Sequence, residues 1–223
     1  MDEKGFRIGE MGSEKVIIMR HNPDWKDGYA GGSKQSGDWQ TVTSIDCICA
    51  DGTVLPPMII MKGKTVQKPW LENSPLPVGT RWAASPNGWT DNELGLSYIK
   101  AFDEWTTEKS SDGQWRCLIL DGHGSHLTYE FLQYAHDARI IIVGLPSHTT
   151  DFLQPLDCVI FRVLQRFYGH AVDDQARNML TVNKQSFAEW SYMKPERKPT
   201  LAIGSYKHSK RQESYLWTPT NPV

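Results

Sequence analysis

The sequence predicts an α/β domain built on one mixed sheet with helices on its faces. Three observations carry this. An early pair of β-rich segments meets at a hairpin signal, later apolar runs read as buried strands, and helical periodicity stands between and after those runs. No internal repeat or low-complexity tract interrupts the pattern.

Residues 7–39, with Gly28, Gly31, Gly32, Ser33 and Gly37, read as a long loop holding a short strand at 15–19. Residues 40–50 are rich in β-branched side chains and end at Asp51-Gly52, a hairpin signal. Residues 54–61 supply the returning strand. Pro56-Pro57 removes ladder donors, so that strand is expected to be shorter than its apolar run or to lie partly at an edge. Residues 63–86 are dense in Pro, Gly and Trp and read as an irregular connection with a short strand at 81–84.

Thr90-Asp91-Asn92-Glu93 is a capping-box pattern that opens a helix, followed by Leu94, Leu96, Ile99, Phe102 and Trp105 near helical spacing. Residues 116–120 and 140–145 are apolar runs without alternation, which predicts strands buried on both faces. A helix over 128–136 lies between them. A further helix over 156–171 carries Val159, Ile160, Val163, Leu164, Phe167 and Tyr168.

With 223 residues, 39% of them hydrophobic and 11% aromatic, the chain can bury a sizeable core, which excludes a disordered tail protein. A net charge of −2 excludes a uniformly basic binder and a strongly acidic chain alike. The total conceals an asymmetry: residues 1–161 carry 14 basic and 21 acidic side chains, residues 162–223 carry 10 and 5. No apolar signal-peptide core and no run of eighteen apolar residues occurs, so the chain reads as intracellular and without a membrane partner. Cys47, Cys49, Cys117 and Cys158 lack paired zinc-ligand spacing and read as buried free thiols.

Ligands of open α/β sheets collect at strand ends, and three aspartates compete for that role. Asp121 directly follows an apolar strand and precedes Gly122-His123-Gly124-Ser125-His126, whose small residues admit a ligand close to the backbone. It would serve equally well as a turn or helix cap. Asp157 opens a helix after a proline turn, where an acidic residue also complements the macrodipole. Asp2, at the chain start, has simple solvation as its plainest explanation. Together the three suit hard divalent cations, which take oxygen ligands and can clamp attacking and leaving oxygens in phosphoryl transfer. The 35 residues between Asp121 and Asp157 suffice for a helix, a strand and a loop that return the chain to the same sheet end.

Five ordered segments, MDEKGF at 1–6, CICADGTVLPPMIIMKGK at 47–64, NGWTDNELGL at 87–96, LILDGHGSH at 118–126 and LPSHTTDFLQPLD at 145–157, resemble the DDE superfamily endonuclease domain. The likeness is to pogo/Tigger/jerky-type (mariner-like) transposases, their fungal members in particular. This resemblance implies a ribonuclease-H-like mixed sheet flanked by helices over residues 1–190, with 191–223 as a basic, poorly ordered tail. It implies Asp2, Asp121 and Asp157 as catalytic residues binding two Mg²⁺ or Mn²⁺ ions, with His123, His126 and His148 in supporting hydrogen-bond roles. DNA is the implied partner, a homodimer the candidate assembly and the nucleus the implied location.

The chain begins one residue before the first matching aspartate. Against the family it is therefore expected to be N-terminally truncated, with the first strand largely missing, Asp2 on a frayed end and the DNA-reading domains absent. Asp151 stands where the family usually has a histidine, and Cys158-Val159 replaces a usual Val-Gly. Two functions follow: a metal-dependent endonuclease domain, or a truncated or domesticated relic that binds DNA or protein without catalysis. Arg162, Arg166, Arg177 and Lys184 are candidate phosphate partners, and a solvated helix face explains them equally well, so no DNA-contact residue is assigned.

Overall fold

The computed structural model describes residues 1–8, 40–72, 74, 76–110, 113–121, 128–146, 149–178, 180, 182–184 and 186–187. The strand expected at 15–19, the three histidines and the tail lie outside these residues. The elements are β1 (Asp2–Arg7), β2 (Thr41–Asp46), β3 (Met58–Lys62), α1 (Lys68–Glu72), β4 (Arg81–Ser85), α2 (Asn92–Thr106), β5 (Arg116–Leu120), α3 (Tyr129–Asp137), β6 (Ile140–Gly144), α4 (Thr150–Leu153) and α5 (Phe161–Arg177). A π-helical turn, Leu156–Ile160, leads into α5. The α/β architecture with a mixed sheet is the one expected, but that sheet holds only β1–β4, while β5 and β6 form a separate two-stranded sheet.

The first four strands pair in the order β1-β2-β3-β4, antiparallel except for the parallel β3–β4 contact. The hairpin forms as its turn chemistry dictates. Gly52 takes a left-handed φ of 86°, its amide returns to the Cys49 carbonyl at 2.9 Å, and an Ile48–Val54 bridge follows. The ladder then restarts at Met58, just past Pro56-Pro57, because neither proline can donate to it. Residues 63–86 contain the expected strand and also the short helix α1, which their composition did not announce.

Helices cover both faces of this sheet. On one face Ile45, Met58, Ile60 and Ala83 pack with Tyr98, Ile99 and Phe102 of α2 and Phe131 of α3. On the other, Phe6, Val42, Ile59 and Met61 pack with Phe161, Leu164, Tyr168 and Val172 of α5. Ile45, Ile59 and Ile60 are completely buried, each contributing roughly 1.5–3 kcal/mol of transfer free energy.

Three local expectations need correction. The cap of α2 is Asp91, whose carboxylate accepts from the Leu94 amide at 2.9 Å, one residue later than the Thr90 capping box. The parallel pair β5–β6 is buried on one face only: Leu118, Leu120 and Ile140 face the core, while Ile119, Ile141 and Val143 are 47%, 50% and 41% exposed. Cys117 is exposed with them, so the reading of four buried thiols holds fully only for Cys47. An unbroken apolar run gives no way to tell one covered face from two.

The third correction concerns β1. All six of its residues pair with β2, from Asp2 opposite Asp46 to Arg7 opposite Thr41, and the Ile8 amide adds a bond to the Gln40 carbonyl. Asp2 is 5% exposed and not on a frayed end. The motif NGWT at 87–90 helps to hold this ladder. The Gly88 carbonyl accepts from the Thr43 hydroxyl at 2.7 Å, and Trp89 lies so close to Gly5 that a Cβ there would meet its ring at 2.9 Å.

Candidate active site

Asp2 stands at the start of β1, and cross-strand partners in a ladder present their side chains on the same face. Asp2, Asp46 and Phe6 therefore share the face that α5 covers. Paired ladder bonds alternate along an antiparallel pair. Counting back from the bonded Ile8–Gln40 pair makes Asp2–Asp46 a bonded pair as well. Asp46 is a buried carboxylate that the sequence reading passed over, and the Ser44 hydroxyl donates to it at 2.8 Å. No local sequence signal marks it, because it meets Asp2 only through the β1–β2 register.

The Asp2 carboxyl accepts from the Glu3 amide through Oδ1 at 2.9 Å, while Oδ2 is buried without a hydrogen-bond partner. Burial pushes its pKa up from 3.8 to about 7, against the pull of the Glu3 amide, and the charges of Asp157 and then Asp121 push in the same upward direction.

Asp157 comes from the segment Gln154-Pro155-Leu156-Asp157. Pro155, at φ −60°, starts the turn at a position where its missing N–H costs nothing, and Leu156 anchors it in the core at 2% exposure. The half-buried Asp157 then sits in the first turn, a wide π turn of a kind often found at functional sites.

Asp121 follows the last residue of β5 and is half-buried. Capping of the next helix does not account for it, because Thr128 caps α3, accepting from the Phe131 amide at 3.3 Å. The Met1 nitrogen donates to the Ile119 carbonyl at 2.8 Å, which brings the start of β1 beside the end of β5. Asp2 thus lies where the two sheets meet, within electrostatic reach of Asp157 and Asp121. His123, His126 and His148 lie outside the described residues.

The donor chemistry fits a hard divalent cation. Asp2 offers a buried oxygen that lacks a partner, under the influence of two further carboxylates. The set is open as it stands: among the described residues no three His, Cys, Asp or Glu side chains converge closely enough to hold an ion.

Of the basic candidates, Arg162 and Arg166 are exposed on α5. Lys184 is engaged, its ammonium donating to the Lys62 carbonyl at 2.5 Å and lying 5.5 Å from the centre of the Trp70 ring.

Fold and candidate site together define an α/β domain in which a buried aspartate at the start of β1 feels the charges of acidic residues at the end of β5 and in the turn before α5. The family described as DDE superfamily endonuclease matches residues 39–209, and the chain belongs to it. A protein named "MFS-type transporter clz9", from Cochliobolus lunatus, is 29% identical over 172 residues, covering 77% of this chain and 18% of that protein. The human "Pogo transposable element with ZNF domain" is 29% identical over 133 residues, covering 59% of this chain and 9% of that protein. This chain therefore spans less than a fifth of either curated relative. No helix of the described residues is long and apolar enough to cross a membrane. Among solved structures, a pre-cleavage Mos1 transpososome overlaps 92% of this chain and 54% of its own at a TM-score of 0.48 and 11% identity. The Mos1 strand transfer complex overlaps 84% and 48% at 0.47 and 11%.

Proposed function

We propose that this DDE endonuclease domain cleaves or joins DNA strands with divalent cations, Mg²⁺ or Mn²⁺, held by Asp2, Asp121 and Asp157. One observation carries the reading: the buried, unpartnered Oδ2 of Asp2 lies where the charges of Asp157 and Asp121 both act on it. A cation pair bound there supplies charge neutralisation and an activated water or 3′-hydroxyl for attack on a phosphodiester.

The residues of the chain do the rest. Asp2 releases its proton to become a ligand, and the β1–β2 ladder fixes its direction. The π turn presents Asp157 from the covering helix, and the end of β5 presents Asp121. The exposed Arg162 and Arg166 are available to DNA phosphates, so affinity should fall steeply with salt. His123, His126 and His148 support the site through hydrogen bonds. The working domain spans residues 1–190 with a basic tail beyond it, and the family match ends at 209, inside that tail. A homodimer and a nuclear location complete the proposal.

A second reading, a relic that binds DNA or protein without catalysis, is favoured by the open geometry of the carboxylates. Purified protein, labelled DNA and Mg²⁺ or Mn²⁺ decide between them. Cleavage that disappears in Asp121→Asn supports the nuclease. Cleavage that survives it overturns the mechanism, and DNA binding without cleavage favours the relic.

A further inference from the structure

We infer that Gln154 is a positioning residue for the site, clamping the backbone of the first aspartate to the helical turn that carries the third. The inference rests on the reading of Asp2 and Asp157 as members of one site. Gln154 is 2% exposed, and its side-chain Nε2 donates to the Met1 carbonyl at 3.0 Å across 153 positions of sequence. A buried amide is costly unless it is bonded, and an apolar residue of similar size would fill the same space without that demand. The bond lands on the peptide unit joining Met1 to Asp2, which sets where the Asp2 side chain leaves the strand.

Local sequence explains why Gln154 reaches inward. A residue before proline is driven out of the helical region, and Gln154 accordingly sits at φ −83°, ψ 110°, ending α4 in an extended conformation. Pro155 restarts the chain as a helical turn, and Asp157 follows two residues later. Glutamine, proline and aspartate of QPLD thus form one device: the proline aims the glutamine, the glutamine grips the strand of Asp2, and the aspartate completes the site. The Met1 nitrogen bond to Ile119 holds the same residue from the β5 side.

The test uses the full chain and Mn²⁺ alone as probe, in wild type, Gln154→Met, Asp2→Asn and the double variant. Mn²⁺ affinity is followed by electron paramagnetic resonance, and amide hydrogen exchange is measured without metal. Gln154→Met should weaken Mn²⁺ binding by about tenfold or more, in the range of partners that orient metal ligands. In the Asp2→Asn background the same change should cost less than about twofold, because the group being positioned is gone. Exchange at the amides of Asp2, Glu3 and Asp46 should quicken while that at Phe6 and Val42 does not. An equal affinity loss in both backgrounds, or unchanged exchange at the start of β1, overturns the inference. If the wild type binds no Mn²⁺, the site reading fails by itself and the exchange pattern still decides whether Gln154 positions β1. Should Gln154→Met not fold, Gln154→Glu keeps the shape and, when ionised, removes the donor.

Discussion

The Met1 nitrogen and the Ile119 carbonyl meet at 2.8 Å and join β1 to β5 at the point where two of the three candidate aspartates emerge. That junction leaves Asp2 buried, and its titration should therefore govern the pH dependence of stability. Unfolded, its carboxyl titrates near 3.8; folded, near 7. Between those values the native protein keeps a proton that the unfolded chain has lost. The stabilisation is complete below about pH 4 and is lost as pH rises through about 7, by on the order of 4 kcal/mol if the whole shift is expressed. Urea midpoints from pH 4 to 8 should show this decline in wild type and a flatter profile in Asp2→Asn, which should be the more stable protein at pH 8.

The same proton competes with a cation. Mn²⁺ affinity should rise by up to about tenfold per pH unit below pH 7 and level off above it, as expected when one proton is displaced. Calorimetric titrations at pH 6 and pH 8 check this, with Asp121→Asn and Asp157→Asn each expected to weaken binding at both values. Affinity independent of pH would separate the ion from Asp2.

The α2 cap offers a sharp contrast between neighbours. Asp91 accepts from the Leu94 amide, whereas the Thr90 hydroxyl is buried without a partner. Asp91→Ala should cost about 1 kcal/mol, the usual loss of a cap. Thr90→Val should be neutral or stabilising, because it removes an unsatisfied hydroxyl at little change of shape. Chemical denaturation of the two variants distinguishes this arrangement from a cap at Thr90.

Arg116 ties three elements together. Its guanidinium meets the Asp103 carboxylate at 2.6 Å, the Thr106 hydroxyl at 2.9 Å and the Ala138 carbonyl at 2.6 Å, and the Tyr134 phenol donates to the same Asp103 at 3.0 Å. With the two charged side chains 15% and 24% exposed, the pair is mostly withdrawn from water. Arg116→Met should cost about 3 kcal/mol because it leaves the mostly withdrawn Asp103 charge without its cation, and Arg116→Met with Asp103→Leu should recover part of that loss in urea unfolding.

What the sequence made legible was local chemistry. Asp51-Gly52 announced the hairpin, Pro56-Pro57 set where β3 begins, and the apolar spacing from Leu94 to Trp105 placed α2. The candidate aspartates were legible through their motifs, and the structure sets Asp2 within electrostatic reach of the other two. What stayed hidden depends on partners distant in sequence. The β1 ladder needs β2 on the far side of residues 9–39, Asp46 becomes a neighbour of Asp2 only through that register, and Gln154 finds its acceptor 153 positions away. Side-chain periodicity carries none of this information.

The one-sided burial of β5–β6 is the clearest case, and it sets the last prediction. Cys117 stands opposite Ile141 and Ile119 opposite Val143 in the parallel register, so their side chains share the exposed face. Ile119→Lys or Val143→Lys should change stability by no more than about 0.5 kcal/mol, as surface substitutions generally do. Leu118→Ala, facing the core at 2% exposure, should cost about 2–5 kcal/mol. Thiol labelling of the native protein should modify Cys117 fastest and Cys47 slowest, since Cys47 is buried and its burial raises the thiol pKa. Strands covered on both faces would reverse the first result, with either lysine costing at least as much as Leu118→Ala and Cys117 as slow to label as Cys47.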